Sequence, residues 1–154
     1  MKIWVDGDAC PKTIKAILFR VAIRAKILTT IVSNHYISVP ISPFIKKIVV
    51  EMGFDVVDSY IINNLGNNDL VITADIPFAD AVITQGGCAL NPRGEMYSKN
   101  NIKQHLSSRN FNEAVRSSGV ITGGLRQENA KETQKFANAL DSWVTKNHIK
   151  LAGL

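Results

Sequence analysis

"DLVITADIPFA", residues 69–79, runs from an apolar triplet into a lone aspartate and then directly into a second apolar segment. Leu70 to Thr73 has the length and β-branching of a strand buried on both faces. Phe78 to Ile83 fall in the helix after it, and Gly86-Gly87 stop that helix before Cys88-Ala89-Leu90. Strand, charged turn and helix in succession form half of a βαβ unit. The start of the chain repeats this grammar: "KIWVDGDACP", residues 2–11, carries a hydrophobic triplet into Asp6 and Asp8.

Working outward, Ile3 to Val5 reads as the first strand, with Pro11 in the first turn of a helix, where its missing N–H costs nothing. Ile14, Ile17, Leu18, Val21, Ala22 and Ala25 recur at helical spacing, and Ile27 to Val32 is the second strand. Pro40, Ser42 and Pro43 punctuate the next connection, and Phe44 to Val50 fits either a short helix or a strand. Gly53 to Asp58 reads as a strand followed by a helix carrying Ile61, Ile62 and Leu65, with Asp58 or Ser59 as N-cap and Gly66 at its end. Two more helices are expected around Ile102 to Val115 and Glu128 to Asn147, separated by a flexible connector, "SSGVITGGLRQEN". Phe136, Leu140 and Trp143 share one face of the second, as docking on a core requires. Alternating short strands and helices predict an α/β fold: a three-layer α/β/α sandwich around a mostly parallel sheet. One domain over residues 1–154 is expected, with the helix at about 128–147 docked on it.

Composition agrees with a globular protein: 45% hydrophobic and 20% charged residues exclude a disordered or fibrous chain. Eighteen Lys and Arg against thirteen Asp and Glu give +5, a modest excess compatible with a polyanionic partner. Two cysteines, Cys10 and Cys88, are too few for a disulfide framework and fit a reducing, cytoplasmic compartment. No apolar stretch approaches the ~20 residues of a membrane span, and no signal-peptide pattern precedes Lys2-Ile3-Trp4-Val5, so no membrane association is expected.

In an open parallel sheet, ligands bind beyond the carboxyl ends of the strands. Asp6 and Asp8 follow the first strand, Asp58 the Val56-Val57 strand, and Asp75 the Leu70–Thr73 strand, so all four belong to that edge. Asp69 precedes its strand and lies about six residues before Asp75, which at ~3.3 Å per residue separates the two by roughly 20 Å, and it is expected to be structural. Asp55, at the start of its strand, is excluded by the same reasoning. Carboxylates gathered in one crevice repel each other unless protons or a cation neutralise them. Oxygen-only donors without a His or Cys cluster favour Mg²⁺ or Mn²⁺, and such ions meet substrate phosphates. Phosphoryl chemistry by metal-activated water attack on phosphorus is therefore the expected reaction. Helix capping competes as the role of Asp8 and Asp58; Asp6 and Asp75 carry the site.

Asn34 after the second strand, and Asn91 and Arg93 after Ala89-Leu90, lie on the same edge and are the candidate substrate-binding residues, Arg93 with a fork that suits phosphate. Thr122-Gly123-Gly124 lacks a phosphate-loop Lys-Ser/Thr and reads as a hinge. Lys46-Lys47, Lys99, Lys103, Arg109, Arg116 and Arg126 are spread as solvated surface charges are, and His35, His105 and His148 form no triad or metal box.

"WVDGDACPKTIK", "DLVITADIPFA", "ALNPRGEMY" and "FANALDSW" together resemble the YaiI/YqxD family of bacterial proteins, over about residues 1–147. At superfamily level that family looks like the PIN-like group of PIN and NYN domains, many of them metal-dependent ribonucleases. The resemblance implies that Asp6 matches the acid after the first strand, Asp58 the acid opening the middle helix, and Asp75 the acid of the Thr73-Ala74-Asp75 pattern. The glutamate that PIN domains carry on a helix has no counterpart here, and Asp8 is the acid that can stand in for it. The expectation is a metal-dependent phosphodiesterase or nuclease acting on RNA, with Asp6, Asp8, Asp58 and Asp75 holding Mg²⁺ or Mn²⁺. Two alternatives stand beside it: a non-catalytic RNA- or partner-binding module of the same fold, and a haloacid-dehalogenase-like phosphatase in which Asp6-Gly7-Asp8 supplies nucleophile and proton shuttle.

Overall fold

A computed structural model describes residues 1–53, 55–104 and 130–152. In chain order the elements are β1 (Ile3–Asp6), α1 (Lys12–Ala25), β2 (Thr29–Ser33), β3 (Ile45–Val49), α2 (Val56–Asn64), β4 (Leu70–Ile72), α3 (Ile76–Thr84) and β5 (Cys88–Leu90). A helical segment, α4, is described over residues 99–104, and α5 (Ala130–Ala152) is the long terminal helix. The part of the expected Ile102–Val115 helix beyond residue 104, the 117–129 connector with Thr122-Gly123-Gly124, and His105, Arg109, Arg116 and Arg126 lie outside the described residues.

The five strands form one sheet in the order β3-β2-β1-β4-β5, every pair parallel. Strand side chains alternate between two cores. Ile3, Val5, Ile31, Leu70, Ile72 and Leu90 pack with Ile14, Leu18 and Val21 of α1 and with Phe136, Leu140 and Trp143 of α5. Trp4, Val32, Val71 and Ala89 pack on the opposite face with Val57 and Ile61 of α2 and with Phe78, Ala79 and Val82 of α3. Strands apolar at every position are thus explained by burial on both sides, and the three-layer expectation holds.

Two readings need correction. Gly53 to Asp58 is not a strand: Asp55 adopts a left-handed φ of 61°, which ends any extended run, and α2 starts at Val56. Adjacent Val56 and Val57 suggested β structure, but the buried pair is Val57 and Ile61, at helical i, i+4 spacing. The third strand is instead the 44–50 stretch that sequence left open, paired along β2 as an edge strand with Lys46 and Lys47 exposed. Pro11 also stands one residue ahead of α1, at its N-cap.

The chain goes outward from β1 through β2 to β3 and then crosses back to β4 beside β1. That reversal opens a crevice between the carboxyl ends of β1 and β4, the position at which such sheets bind ligands. No helix among the described residues is long and apolar enough to cross a membrane.

Candidate functional site

Asp6 is the last residue of β1, and Asp75 follows β4 by way of Thr73 and Ala74, so both stand at the crevice. Thr73 ties them together: its hydroxyl donates to Asp6 Oδ2 at 3.4 Å and accepts from the Asp75 backbone N–H at 3.0 Å. Asp75 caps α3, its Oδ1 accepting from the Phe78 N–H at 3.1 Å, with Pro77 in the first turn. Asp58 comes from the first turn of α2 instead of a strand end, and lines a cleft of about 500 Å³ between α2 and α3 with Asp55, Ser59, Asn63, Asp75 and Phe78.

The electrostatics show that these acids share one neighbourhood. Burial, then the charges of Asp8 and Asp75, push the Asp6 carboxyl up to about 6 against an ordinary 3.8, the Thr73 hydroxyl opposing. Burial, then Asp6, Asp75 and Asp55, push Asp58 up to about 7. Among the described residues no lysine or arginine is paired with Asp6, Asp58 or Asp75; the ion pairs involve Asp8, Asp69 and Asp141. Asp55, excluded on the strand reading, belongs to the cluster: it hydrogen-bonds Asp58 and lines the same cleft.

Asp8 is engaged elsewhere. Its Oδ1 lies 2.6 Å from His35 Nδ1, and its Oδ2 accepts from the Asn34 backbone N–H at 2.9 Å, so it fastens the loop after β2 to the β1 turn. Gly7 between the two aspartates runs against β2, its N–H bonded to the Val32 carbonyl at 2.8 Å; a Cβ there would stand 2.6 Å from Ile31 Cγ2.

The side chain of Asn91 is used within the protein. Its Oδ1 accepts from the Arg93 N–H at 2.7 Å and its Nδ2 donates to Tyr97 Oη at 2.7 Å, which shapes the 91–94 turn and leaves Arg93 exposed. Gly94, at φ 97°, abuts the backbone of α5, where a Cβ would meet Lys135 and Phe136 at 2.6 Å. Tyr97 sits near the cluster: burial raises its phenol pKa, opposed by the Asn91 hydrogen bond, with Glu95 and Asp75 raising it further. Thr73 was legible only as part of a pattern, and Tyr97 and His35 carried no periodic signal, since both reach the site through loop geometry.

The donor set suits a hard cation in its chemistry: oxygen-only, mutually repelling, and without a basic partner among the described residues. The side chains as placed do not already form a cage, for no group of three His, Cys, Asp or Glu among the described residues stands ready to hold an ion.

Residues 4–146 match the family model described as uncharacterized BCR, YaiI/YqxD family. A UPF0178 protein of Photobacterium profundum is 56% identical over 97% of this chain and all of its own length. One from Shewanella sediminis is 57% identical over 96% of this chain and 99% of its own, and one from Legionella pneumophila is 54% identical over the same shares. No solved structure matches the chain.

Proposed function

The chain belongs to the YaiI/YqxD family, and from the chemistry of its crevice we propose a divalent-cation-dependent phosphodiesterase acting on RNA. One observation carries the reading. Asp6, Asp58 and Asp75, from three separate stretches, gather at the topological switch point, where the charge of Asp75 raises the proton affinity of Asp6 and the charges of Asp6 and Asp75 raise that of Asp58, with no lysine or arginine paired to them among the described residues. A cation removes that repulsion more fully than protons do near neutral pH.

In this reading Asp6, Asp58 and Asp75 supply the oxygen donors, and Thr73 fixes the first and last in register. Mg²⁺ or Mn²⁺ bound there would supply Lewis acidity toward a phosphoryl oxygen and toward water. The hydrogen bond between Asp55 and Asp58 needs a proton on Asp58 and gives way when Asp58 ionises to meet a cation. Asp8 serves as a brace for the Asn34-His35 loop, not as a ligand, and Arg93, carried on the Asn91 turn, receives a phosphate oxygen. Occupation of both Asp8 oxygens weighs against the phosphatase alternative, which needs that residue to move a proton.

Purified protein is incubated with single-stranded and structured RNA in Mn²⁺ or EDTA, beside Asp6→Asn. Cleavage that needs the ion and is lost in the variant, by roughly a hundredfold or more, is the expected result. Cleavage indifferent to the substitution belongs to a contaminant and ends the proposal. The lack of a ready-made ion cage among the described residues favours one second reading, an RNA-binding module that keeps the crevice without the reaction; binding without product in that assay selects it.

A further inference from the structure

The carboxylates at the crevice repel a polyanion, so any nucleic-acid strand brought there has to be held by other groups along the same edge. A second pocket, of about 430 Å³, lies where α1 meets the loop after β2, on the face opposite the α2/α3 cleft. Lys12, Lys15, Phe19, His35 and Tyr36 line it, so cations and aromatic rings are interleaved. Tyr36 is 71% exposed, an uncommon position for a large ring, and Lys47 of β3 places its Nζ 3.7 Å from the ring centroid. That cation covers one face of the ring and leaves the rest of it in solvent. The pocket is joined to the crevice through bonds already described: His35 lines it and is held by Asp8, two residues from Asp6.

We propose that this pocket binds single-stranded nucleic acid, Tyr36 stacking one base while Lys12, Lys15 and Lys47 neutralise the flanking phosphates, and that the strand passes over the Asp6-Gly7-Asp8 turn into the acidic cleft. An aromatic face beside a cationic groove is the recognition chemistry of single strands, whose bases are free to stack; in a duplex they are not. The size of the pocket falls within the range that encloses small-molecule groups. The proposal rests on the phosphodiesterase reading for the reason that a strand is brought to this edge, and it is tested apart from that reading.

The full chain is titrated, in EDTA so that no cleavage enters, against one fluorescent oligonucleotide sequence as single-stranded RNA, single-stranded DNA and duplex, with anisotropy as the readout. Tyr36→Ala weakens single-strand binding by roughly tenfold or more, and Tyr36→Phe, which keeps the ring, restores it. Replacing Lys12 and Lys15 together by Ala lowers the slope of log affinity against log salt by about 1.4, the loss of two phosphate contacts on a single strand. RNA bound in preference to DNA, or both alike, upholds the site and reports whether the sugar is read. Duplex bound as tightly as single strands, or Tyr36→Ala binding as the unaltered protein does, overturns it. If these binding effects appear but no ion-dependent product does, the pocket stands and the phosphodiesterase reading falls. If ion-dependent cleavage appears and Tyr36→Ala binds and cleaves unchanged, the reverse holds.

Discussion

A carboxyl group whose surroundings hold it near 7, as those of Asp58 do, makes stability depend on pH in the direction opposite to most acids. In the unfolded chain Asp58 and Asp6 titrate near the ordinary 3.8, and in the folded protein near 7 and 6. Between these limits the folded state binds more protons, so their contribution is fully present below about 4 and is lost as pH rises through 6 and 7. Asp58→Asn, which cannot ionise, is therefore expected to melt above the parent at pH 8 and to approach it at pH 5. Excess Mn²⁺ should raise the parent's melting temperature at pH 8, less so at pH 5 where protons compete, and leave Asp58→Asn nearly unmoved. Thermal scans across the two pH values and with EDTA check all three. A parent that gains stability from pH 5 to 8 relative to Asp58→Asn would show that the acids are not mutually strained.

At the level of single elements, Asp75 has two jobs that one substitution pair can separate, because it both caps α3 and contributes charge to the cluster. Asp75→Ser keeps an oxygen for the Phe78 N–H and loses the charge, whereas Asp75→Ala loses both. Relief of repulsion is common to the two variants, so the difference in their urea denaturation reports the cap alone, and Ala is expected to be less stable by about 1 kcal/mol. Both should lose divalent-ion affinity alike. Equal stability would mean that α3 does not depend on this cap. The strand-turn-helix around Asp75 was legible because each part carries its own local signal: an apolar β-branched run, an apolar helical segment directly after the acid, and Gly86-Gly87 as its stop; the cap that Asp75 makes on α3 was not. The stretch around Asp58 was not, since a pair of valines satisfies strand and helix patterns equally and the deciding feature, the left-handed backbone at Asp55, has only a weak sequence signature, aspartate entering that region occasionally. Asp58 nevertheless arrived at the anticipated edge, because the helix that follows a parallel strand begins at that strand's carboxyl end.

Across the whole molecule the sheet separates what holds the fold from what faces a ligand. Its carboxyl edge gathers Asp6, Asp58 and Asp75 without a paired lysine or arginine among the described residues, while its opposite edge holds a fully satisfied acid. Asp69, 1% exposed, accepts from the Lys2 N–H at 2.9 Å, the Trp4 indole N–H at 3.0 Å and the Gly66 N–H at 2.8 Å. These bonds tie the start of β1 to the turn before β4, the two strands whose far ends form the crevice. Its location was legible from strand length alone, since an acid ahead of a straight parallel strand cannot reach the other end; its partners were not, because Trp4 lies 65 positions away in the chain. Asp69→Ala would leave three donors, two backbone and one indole, without acceptors in a buried site, a loss of about 3 kcal/mol or more by chemical denaturation. The melting shift produced by Mn²⁺ at pH 8, measured well below the new midpoint, should stay as in the parent, because no site residue is altered. A change in that shift as large as the one expected of Asp58→Asn would mean that the two edges act as one unit, and that the crevice acids depend on the packing beneath them.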